Sequence, residues 1–231
     1  MNSISIIIPT YNESETIAEL IQHLQAEDSG LIREIIVSDG GSSDDTVTLA
    51  ANAGAIVVKS PVKARSAQMN YGAAKATGHV LYFVHADTLP PRNFSRDIAE
   101  QIAKGKAIGR FRTRFRSNSL LLQCNAFFTR FDLFVCYGGD QTLYISRELF
   151  HSLNGYNENM RIMEEYDLTG RARKQSAYGI IHKPVLISAR KYETNSWWQV
   201  QKANYTVVRM YHKGATQEEM VNTYRKMLHY R

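Results

Sequence analysis

Cysteine is scarce in this sequence. Cys124 and Cys136, the two cysteines among 231 residues, make neither a metal-ligand spacing nor a disulfide framework. The first residues, MNSISIIIPTYNE, lack the basic region of a secretory signal, and Pro9 and a charged residue follow early. We therefore predict a protein of a reducing compartment, the cytoplasm.

The sequence lacks a long apolar run that is free of polar residues. The most apolar stretch, LLLQCNAFFTRFDLFVCY at 120–137, contains four residues that a membrane-spanning helix would bury at high cost: Gln123, Asn125, Arg130 and Asp132. We predict no transmembrane segment and favour a helix packed on the core. The alternative is a helix on a membrane surface, the inner face in this case, because aromatic side chains lie near basic residues: Phe127, Phe128, Phe131 and Phe134.

The glycine-rich phosphate loops are also missing. The sequence has no GxGxxG after its first apolar run and no GxxxxGK[ST] anywhere, which excludes the dinucleotide fingerprint and the phosphate loop. Lys and Arg number 28 against 22 Asp and Glu, giving a net charge of +6 that favours an anionic partner. Recognition of a nucleotide would here use acidic side chains and a metal ion.

Short apolar runs alternate with helical patterns along the first half of the chain. Strands are predicted at 4–8, 34–38, 56–58 and 80–84. Between them we predict helices that begin after Asn12, with Glu15 completing a capping box, after Ser43 or Asp44, and over 64–76. Such alternation predicts a parallel sheet with crossover helices.

Three of these strands end in acidic or turn-forming residues. PTYNE (9–13) follows the first strand, DGGSSDDT (39–46) the second and HADT (85–88) the fourth. Each segment alone is typical of an ordinary turn or helix cap. Ligands of parallel sheets bind beyond the carboxyl ends of the strands, so the three together predict a binding site there.

The ordered motifs resemble the family 2 inverting glycosyltransferases of GT-A fold. They are PTYNE, DGGSSDDT, ARSAQMNYGAAKATG (64–78) and HADT, followed by GRFRTRF (109–115), GGDQTLYISRELF (138–150), NGYNENMRIMEEYDL (154–168) and SARKYE (188–193). The resemblance covers residues 3–193 and is greatest to a small subgroup with HADT in place of Asp-x-Asp. It implies an α/β protein with a mostly parallel central sheet, a Rossmann-like nucleotide-binding half and C-terminal helices.

The resemblance also implies a domain organisation and a donor site. We expect one domain over 1–231, with a nucleotide-sugar-binding half (1–116), an acceptor and catalytic half (117–193) and a helical extension (194–231). The nucleotide base would be held by four residues: Pro9, Tyr11, Glu13 and Asp39. Arg65 and Asn70 match positions near the phosphates, Arg190 matches a phosphate clamp, and Gly72 would let the backbone come close.

HADT stands where the family carries its metal motif. Asp87 matches the metal ligand, so a divalent cation, Mn²⁺ or Mg²⁺, is expected to stabilise the departing diphosphate. His85 replaces an acid that contacts ribose, which removes one negative charge from the site, and Ala86 lies between them in the nucleotide-sugar site. Whether His85 is structural or contacts the ligand stays open at this point.

Inverting transfer needs a base that takes the proton of the acceptor hydroxyl. Glu165 stands at the family's position for this base, and Glu164 and Asp167 remain alternates. The acceptor loop of the family matches Gly139, Asp140 and Gln141. Acidic residues at 164–167 would also suit an ordinary helix N-terminus.

Two further segments have open interpretations. Arg110, Arg112, Arg114 and Arg116 would share one strand face, which meets an anionic acceptor or a lipid head group, or is a solvated edge. The tail, 195–231, is predicted as two helices divided near Gly214 that cover the site, pair two copies into a homodimer or rest on a membrane.

These patterns predict an inverting, metal-assisted glycosyltransferase that moves a sugar from a nucleoside-diphosphate sugar to a hydroxyl acceptor, a sugar or a lipid-linked one. The first alternative is a sugar-1-phosphate nucleotidyltransferase, whose glycine-rich N-terminal loop is missing. The second is a non-enzymatic nucleic-acid-binding protein, which would leave the strand-end acids unexplained because they repel phosphates. We therefore expect no nucleic-acid partner.

Overall fold

Within residues 3–138 and 141–228, which the computed structural model describes, eight strands form one mixed sheet. They are β1 (Ile4–Thr10), β2 (Ile32–Asp39), β3 (Ile56–Lys59), β4 (Val80–Phe83), β5 (Thr88–Leu89), β6 (Ile108–Phe115), β7 (Leu143–Ser146) and β8 (Tyr178–Ile187). Their order across the sheet is β3–β2–β1–β4–β7–β6–β8–β5. β1 is parallel to β2 and β4, β2 to β3, and β6 to β8, whereas β7 is antiparallel to β4 and β6, and β5 to β8. The predicted α/β class with a mostly parallel sheet is confirmed.

Helices lie on both faces of this sheet in the described part of the chain. They are α1 (Ile17–Ala26), α2 (Thr46–Asn52), α3 (Arg65–Lys75), α4 (Phe94–Ala103), α5 (Leu120–Phe128), α6 (Arg147–Ser152), α7 (Glu164–Ala172), α8 (Lys191–Thr194), α9 (Trp197–His212) and α10 (Gln217–Met227), with a 3₁₀ turn at Phe134–Cys136. The four strands and three helices predicted in the first half are all present. None of the helices between residues 3 and 138 or between 141 and 228 has the length and apolarity to cross a bilayer.

The first strand explains why the core has two halves. Ile4, Ile6 and Ile8 pack into one buried cluster with α1, whereas Ile7 packs into a second cluster with α3 on the opposite face. A strand of a parallel sheet that is covered on both sides needs apolar residues at successive positions. The run at 4–8 therefore encodes a central strand.

One local prediction in this half is wrong. Asn12 does not cap α1: it has a φ of 54°, its side chain accepts a hydrogen bond from the Ser43 amide at 2.9 Å, and the helix begins after Thr16. Asn12 thus joins two loops. Gly72 permits a close approach of α3 to the sheet, because a Cβ at this residue would come within 2.6 Å of Ile7 Cγ2. Its approach to the donor stays a prediction.

The arginine-rich strand is not the exposed edge that one interpretation required. β6 lies between β7 and β8, and Arg110 is buried, with its guanidinium donating to the carbonyl oxygens of Thr129 and Phe131. The prediction of four arginines on one accessible face is therefore wrong. Arg110 supplies donors to backbone carbonyls that would otherwise lack partners in the protein interior.

We expect the substitution Arg110→Met to lower the free energy of unfolding by about 2–4 kcal/mol, because it keeps an apolar stem and leaves two buried carbonyls without donors. Arg114→Met is the matched control, since Arg114 is exposed on the same strand. Its effect should stay within about 0.5 kcal/mol. Urea unfolding of both variants measures the difference, and equal stabilities would contradict the role given to Arg110.

The segment that follows β6 is not packed on the core as the favoured interpretation predicted. In α5 Leu122 is the one buried residue, so the helix contributes a single side chain to the interior. Seven large apolar side chains of this segment, called the apolar patch below, are between 41% and 79% exposed: Leu120, Leu121, Phe127, Phe128, Phe131, Leu133 and Val135. These side chains are therefore exposed to solvent, whereas the prediction placed them against the protein core.

The two predicted helices of the tail are confirmed as α9 and α10. Each begins with a capping box, Ser196 with Gln199 and Thr216 with Glu219, and Gly214 between them has a φ of 74°. Their apolar faces pack around Met160 and Met163, the residues that lead into α7. The tail thus supports the start of the helix that carries the acidic pair.

Candidate functional site

The loops that follow β1 and β2 are bonded to each other. The amide of Gly40 donates to the carbonyl oxygen of Thr10 at 2.9 Å, and Asn12 bonds to both Ser42 and Ser43. Gln68 of α3 closes the arrangement by donating to the carbonyls of Thr10 and Ser38. Strand ends that were distant in sequence therefore form one rigid rim.

Asp39 is buried at this rim and is bonded within its own loop. Its carboxylate accepts from the amides of Gly41 at 2.8 Å and Ser42 at 2.9 Å, and from the hydroxyls of Ser42 and Thr10. These bonds shape the loop as an Asx turn does. The sequence predicted that this carboxylate faces a nucleotide base. In addition, its bonds fix the conformation of the loop to which Asp39 belongs.

Tyr11 projects from the same rim and is 40% exposed, whereas Pro9 is half-buried within β1. The ammonium group of Lys63 lies 3.2 Å from the centroid of the Tyr11 ring, a cation–π contact. Sequence reasoning missed Lys63, although its place just before α3 and two residues from Arg65 was a usable signal. An aromatic face and a positive charge thus lie together at the end of β1.

Arg190 joins two of the predicted acids. Its Nη2 lies 3.4 Å from Oε2 of Glu13 and 3.8 Å from Oδ2 of Asp87. Burial raises the pKa of the Glu13 carboxyl, and the charge of Arg190 opposes that shift. The loop after β8 therefore contacts the loops after β1 and β4, so that SARKYE, PTYNE and HADT meet.

The acids at the start of α7 face two other predicted residues. Glu164 and Glu165 are both buried, with Oε1 of Glu164 at 2.6 Å from Arg65 Nε and Oε1 of Glu165 at 3.4 Å from His85 Nε2. Since His85 and Asp87 belong to one loop, this loop contacts both Arg190 and Glu165. His85 contacts the acid pair, a partner that the sequence did not identify.

Asp167 and Asn70 have other partners. Asp167 pairs with Arg171 at 2.7 Å, and Arg171 also donates to the carbonyls of Leu153 and Gly155, so this acid anchors the loop before α7. The amide of Asn70 bonds to the backbone of Tyr156 in both directions and to Glu158. Both residues thus bond to the segment that leads into α7, and the phosphate contact of Asn70 stays a prediction.

Of the three predicted acceptor residues, only Gln141 belongs to the described part of the chain. Gly139 and Asp140 lie outside the described residues. Gln141 follows directly, and its buried Oε1 has no hydrogen-bond partner among residues 3–138 and 141–228.

The charges at the site suit a cation. Arg65 and Arg190 face four carboxylates, those of Glu13, Asp87, Glu164 and Glu165, which leaves an excess of negative charge when His85 is neutral. In the described part of the chain no three His, Cys, Asp or Glu side chains group into a metal cage. Mg²⁺-type sites that use phosphate oxygens need only one or two protein carboxylates, so the donor set fits such an ion with Asp87 as its ligand.

A cavity of about 220 Å³ opens beside Ala86 and Asp87 and extends to Glu19, Arg116 and Glu193. Pockets that enclose a drug-sized ligand have volumes of roughly 300 Å³ or more. This cavity alone is therefore smaller than such a pocket.

Comparison with known proteins gives a family match. The sequence model described as "Glycosyl transferase family 2" matches residues 5–166. Glucosyl-3-phosphoglycerate synthase of Mycolicibacterium smegmatis is 31% identical over 97 residues, which are 38% of this chain and 32% of that protein. The chain thus spans about a third of the length of this curated relative.

Solved structures give the same fold. S. aureus TarS in complex with UDP-GlcNAc superposes with a TM-score of 0.68 at 17% identity, covering 81% of this chain and 59% of that one. The mannosyltransferase PcManGT from Pyrobaculum calidifontis, in complex with GDP-Man and Mn²⁺, superposes with a TM-score of 0.67 at 16% identity, covering 89% of this chain and 62% of that one. At such identities the likeness concerns the fold alone.

Proposed function

Because this chain belongs to glycosyl transferase family 2 and has the GT-A fold, we propose that it moves a sugar, with inversion, from a nucleoside-diphosphate sugar to a hydroxyl acceptor. The observation that carries the proposal is the contact of the HADT loop with both sides of the site: Asp87 with Arg190, and His85 with Glu165. The family resemblance inferred from the motifs is confirmed, whereas the nucleotidyltransferase and nucleic-acid alternatives have no support from the family match.

The rim after β1 and β2 is the proposed base-binding part. The Tyr11 ring offers an apolar face for stacking, and Pro9 and the Asp39 loop border it. Lys63 and Arg65 add positive charge at the start of α3, where the phosphates of the donor would also gain from the helix N-terminus. The two solved structures hold different nucleotides, UDP-GlcNAc in one and GDP-Man in the other, so the base is proposed only as a class.

The diphosphate is proposed to bind between Asp87 and Arg190. A divalent cation, such as the Mn²⁺ in the PcManGT complex, would be held by Asp87 and would offset the negative charge that develops on the leaving diphosphate. Arg190 already lies beside Glu13 and Asp87, so its guanidinium can turn from these carboxylates to phosphate oxygens. Its ion pairs with Glu13 and Asp87 keep the guanidinium near this position.

Glu165 is the proposed base. Its carboxylate takes the proton of the acceptor hydroxyl while the hydroxyl oxygen forms a bond to the anomeric carbon and the bond to the diphosphate breaks. His85, 3.4 Å from Glu165, holds this carboxylate toward the donor side of the site. Glu164 is bound to Arg65 and Asp167 to Arg171, so both alternates are engaged in shorter ion pairs.

The acceptor is proposed as a hydroxyl compound, a sugar or a lipid-linked one, bound near Gln141 and the preceding Gly139 and Asp140. Gln141 supports this through its buried oxygen without a partner in the described chain, which a ligand hydroxyl would satisfy. Four further expectations stay predictions: the single domain with its three parts, a homodimer, a cytoplasmic location and contact with the inner membrane face.

A thermal-shift panel of nucleoside diphosphates and their sugars, with and without Mn²⁺, tests the function. We expect at least one nucleoside diphosphate to raise the melting temperature, by more when Mn²⁺ is present, because a ligand that binds only the folded state stabilises it by about 2.7 kcal/mol at a hundred times its Kd. Nucleoside monophosphates with Mn²⁺ are the control. No shift with any activated sugar would contradict the proposal.

A further inference from the structure

We propose that the apolar patch is a docking surface for an anionic membrane face. This inference concerns a surface outside the donor site and does not depend on the transfer reaction. It rests on the exposure of the patch, on the way it is anchored and on the charge around it.

Three phenylalanine rings of the patch are in contact with one another. The Phe127 ring contacts the rings of Phe128 and Phe131 at centroid distances of 5.7 and 5.6 Å, and all three side chains are nearly half exposed. Single exposed apolar residues are ordinary on protein surfaces, but a contiguous group of this kind marks an interaction site. Transfer of these side chains from water into an apolar environment would lower the free energy of the system.

The exposed segment is firmly attached to the sheet. Arg110 of β6 donates to the carbonyls of Thr129 and Phe131, and the Thr129 hydroxyl accepts from the Thr113 amide at 2.9 Å. The same hydroxyl donates to the Ala126 carbonyl at 2.7 Å. A buried arginine and a buried threonine thus hold the phenylalanines outward on a fixed support.

Arginine outnumbers acidic residues in the patch and just before it. Arg112, Arg114 and Arg116 precede it, with Arg116 paired with Glu19 at 3.5 Å, and Arg130 lies within it, with its guanidinium 4.1 Å from the Phe127 ring centroid. Asp132 is the only acid in the sequence from 110 to 137, and it is paired with Arg173 at 2.7 Å. Arginine beside exposed phenylalanine and leucine is typical of segments that lie in the interface of an anionic bilayer.

A membrane face suits this surface better than a second copy of the chain. In a twofold dimer the same patch would meet itself, which would bring the arginines of both copies together at an energetic cost. Nor can α5 span a bilayer, because its nine residues fall far short of the about 20 that a crossing needs. The geometry therefore favours a segment that lies flat on the lipid surface.

The patch also borders the proposed catalytic residue. The Phe134 ring lies 5.0 Å from that of Tyr166, whose hydroxyl donates to the Val135 carbonyl at 3.3 Å. Tyr166 directly follows Glu165 in α7. If the proposed function holds, docking would place Glu165 beside the lipid surface and its acceptor hydroxyls.

Vesicle flotation tests the inference with the full chain. We expect the protein to float with phosphatidylcholine vesicles that contain phosphatidylglycerol and to stay behind with pure phosphatidylcholine. The double variant Phe127→Ser with Phe131→Ser should bind the anionic vesicles about tenfold or more weakly, since each ring loses much of its transfer free energy. Ile56→Ser, at a residue 53% exposed on edge strand β3, is the matched control and should bind as the unchanged protein does.

Three results would overturn the inference. They are no flotation of the unchanged protein, equal flotation of the double variant, and a dimer in light scattering that the double variant breaks while no vesicle is bound. Urea unfolding and the donor thermal shift of each variant separate loss of folding from loss of docking. A protein that floats but binds no nucleoside diphosphate would refute the transferase proposal and leave the docking surface standing.

Discussion

Glu165→Gln is expected to lower the rate of sugar transfer by about 10²–10⁴-fold while the donor still binds, because glutamine keeps the shape of the side chain and cannot take a proton. The loss should fall on kcat, with little change in the KM for the donor. Transfer assays, combined with calorimetric titration of the nucleoside diphosphate and Mn²⁺, measure both quantities.

Glu164→Gln and Asp167→Asn are the controls for this prediction. Glu164 is bound to Arg65 at 2.6 Å and Asp167 to Arg171 at 2.7 Å, so these substitutions should affect the position of an arginine more than proton transfer. If Glu164→Gln abolishes transfer and Glu165→Gln leaves it intact, the base is Glu164. A wholly active Glu165→Gln variant would remove Glu165 from the mechanism.

Asp87→Asn is expected to abolish the contribution of Mn²⁺ to donor binding and to lower transfer by about 10²–10³-fold. The amide is a poorer ligand for a hard dication than the carboxylate, and the site loses one of its four negative charges. The nucleoside diphosphate should then bind with the same affinity in the presence and absence of Mn²⁺. Calorimetric titration under both conditions gives this difference directly.

Asp97→Asn is the matched control for Asp87→Asn. Asp97 is also a largely buried acid in an ion pair, with Lys183 at 2.8 Å, and it belongs to α4, outside the HADT loop. This variant should keep the full response of donor affinity to Mn²⁺. A Mn²⁺ response that survives in Asp87→Asn would show that another carboxylate holds the ion.

Much of the fold follows from local patterns in the sequence. The buried run at 4–8, the helical spacing of the apolar residues in α1 and the break at each strand end predict strands, helices and the places where they stop. Parallel strands present their carboxyl ends at one edge, so the sequence also predicts that PTYNE, DGGSSDDT and HADT lie near one another. The bonds of Gly40 to Thr10 and of Asn12 to Ser43 fit that expectation.

The partners of the charged residues did not follow from the sequence. His85 and Glu165 are 80 positions apart, Arg65 and Glu164 99, and the contact within each pair depends on how α7 is placed against β4 and α3. The Lys63 contact with Tyr11 likewise joins two separate loops. Ion pairs of this kind have no local signature, because a charge can pair with any opposite charge within reach.

What the sequence by itself determined, then, is the α/β fold, the family and the approach of the strand-end motifs to one another. The tertiary structure alone decided which acidic side chain pairs with which basic side chain, that Arg110 is buried, and that the phenylalanines after β6 are exposed. The physical reason is that periodicity states which side of an element is apolar, whereas burial depends on what is packed opposite it. In α5 the described chain buries Leu122, whereas the large apolar side chains of Leu120, Leu121, Phe127 and Phe128 are exposed.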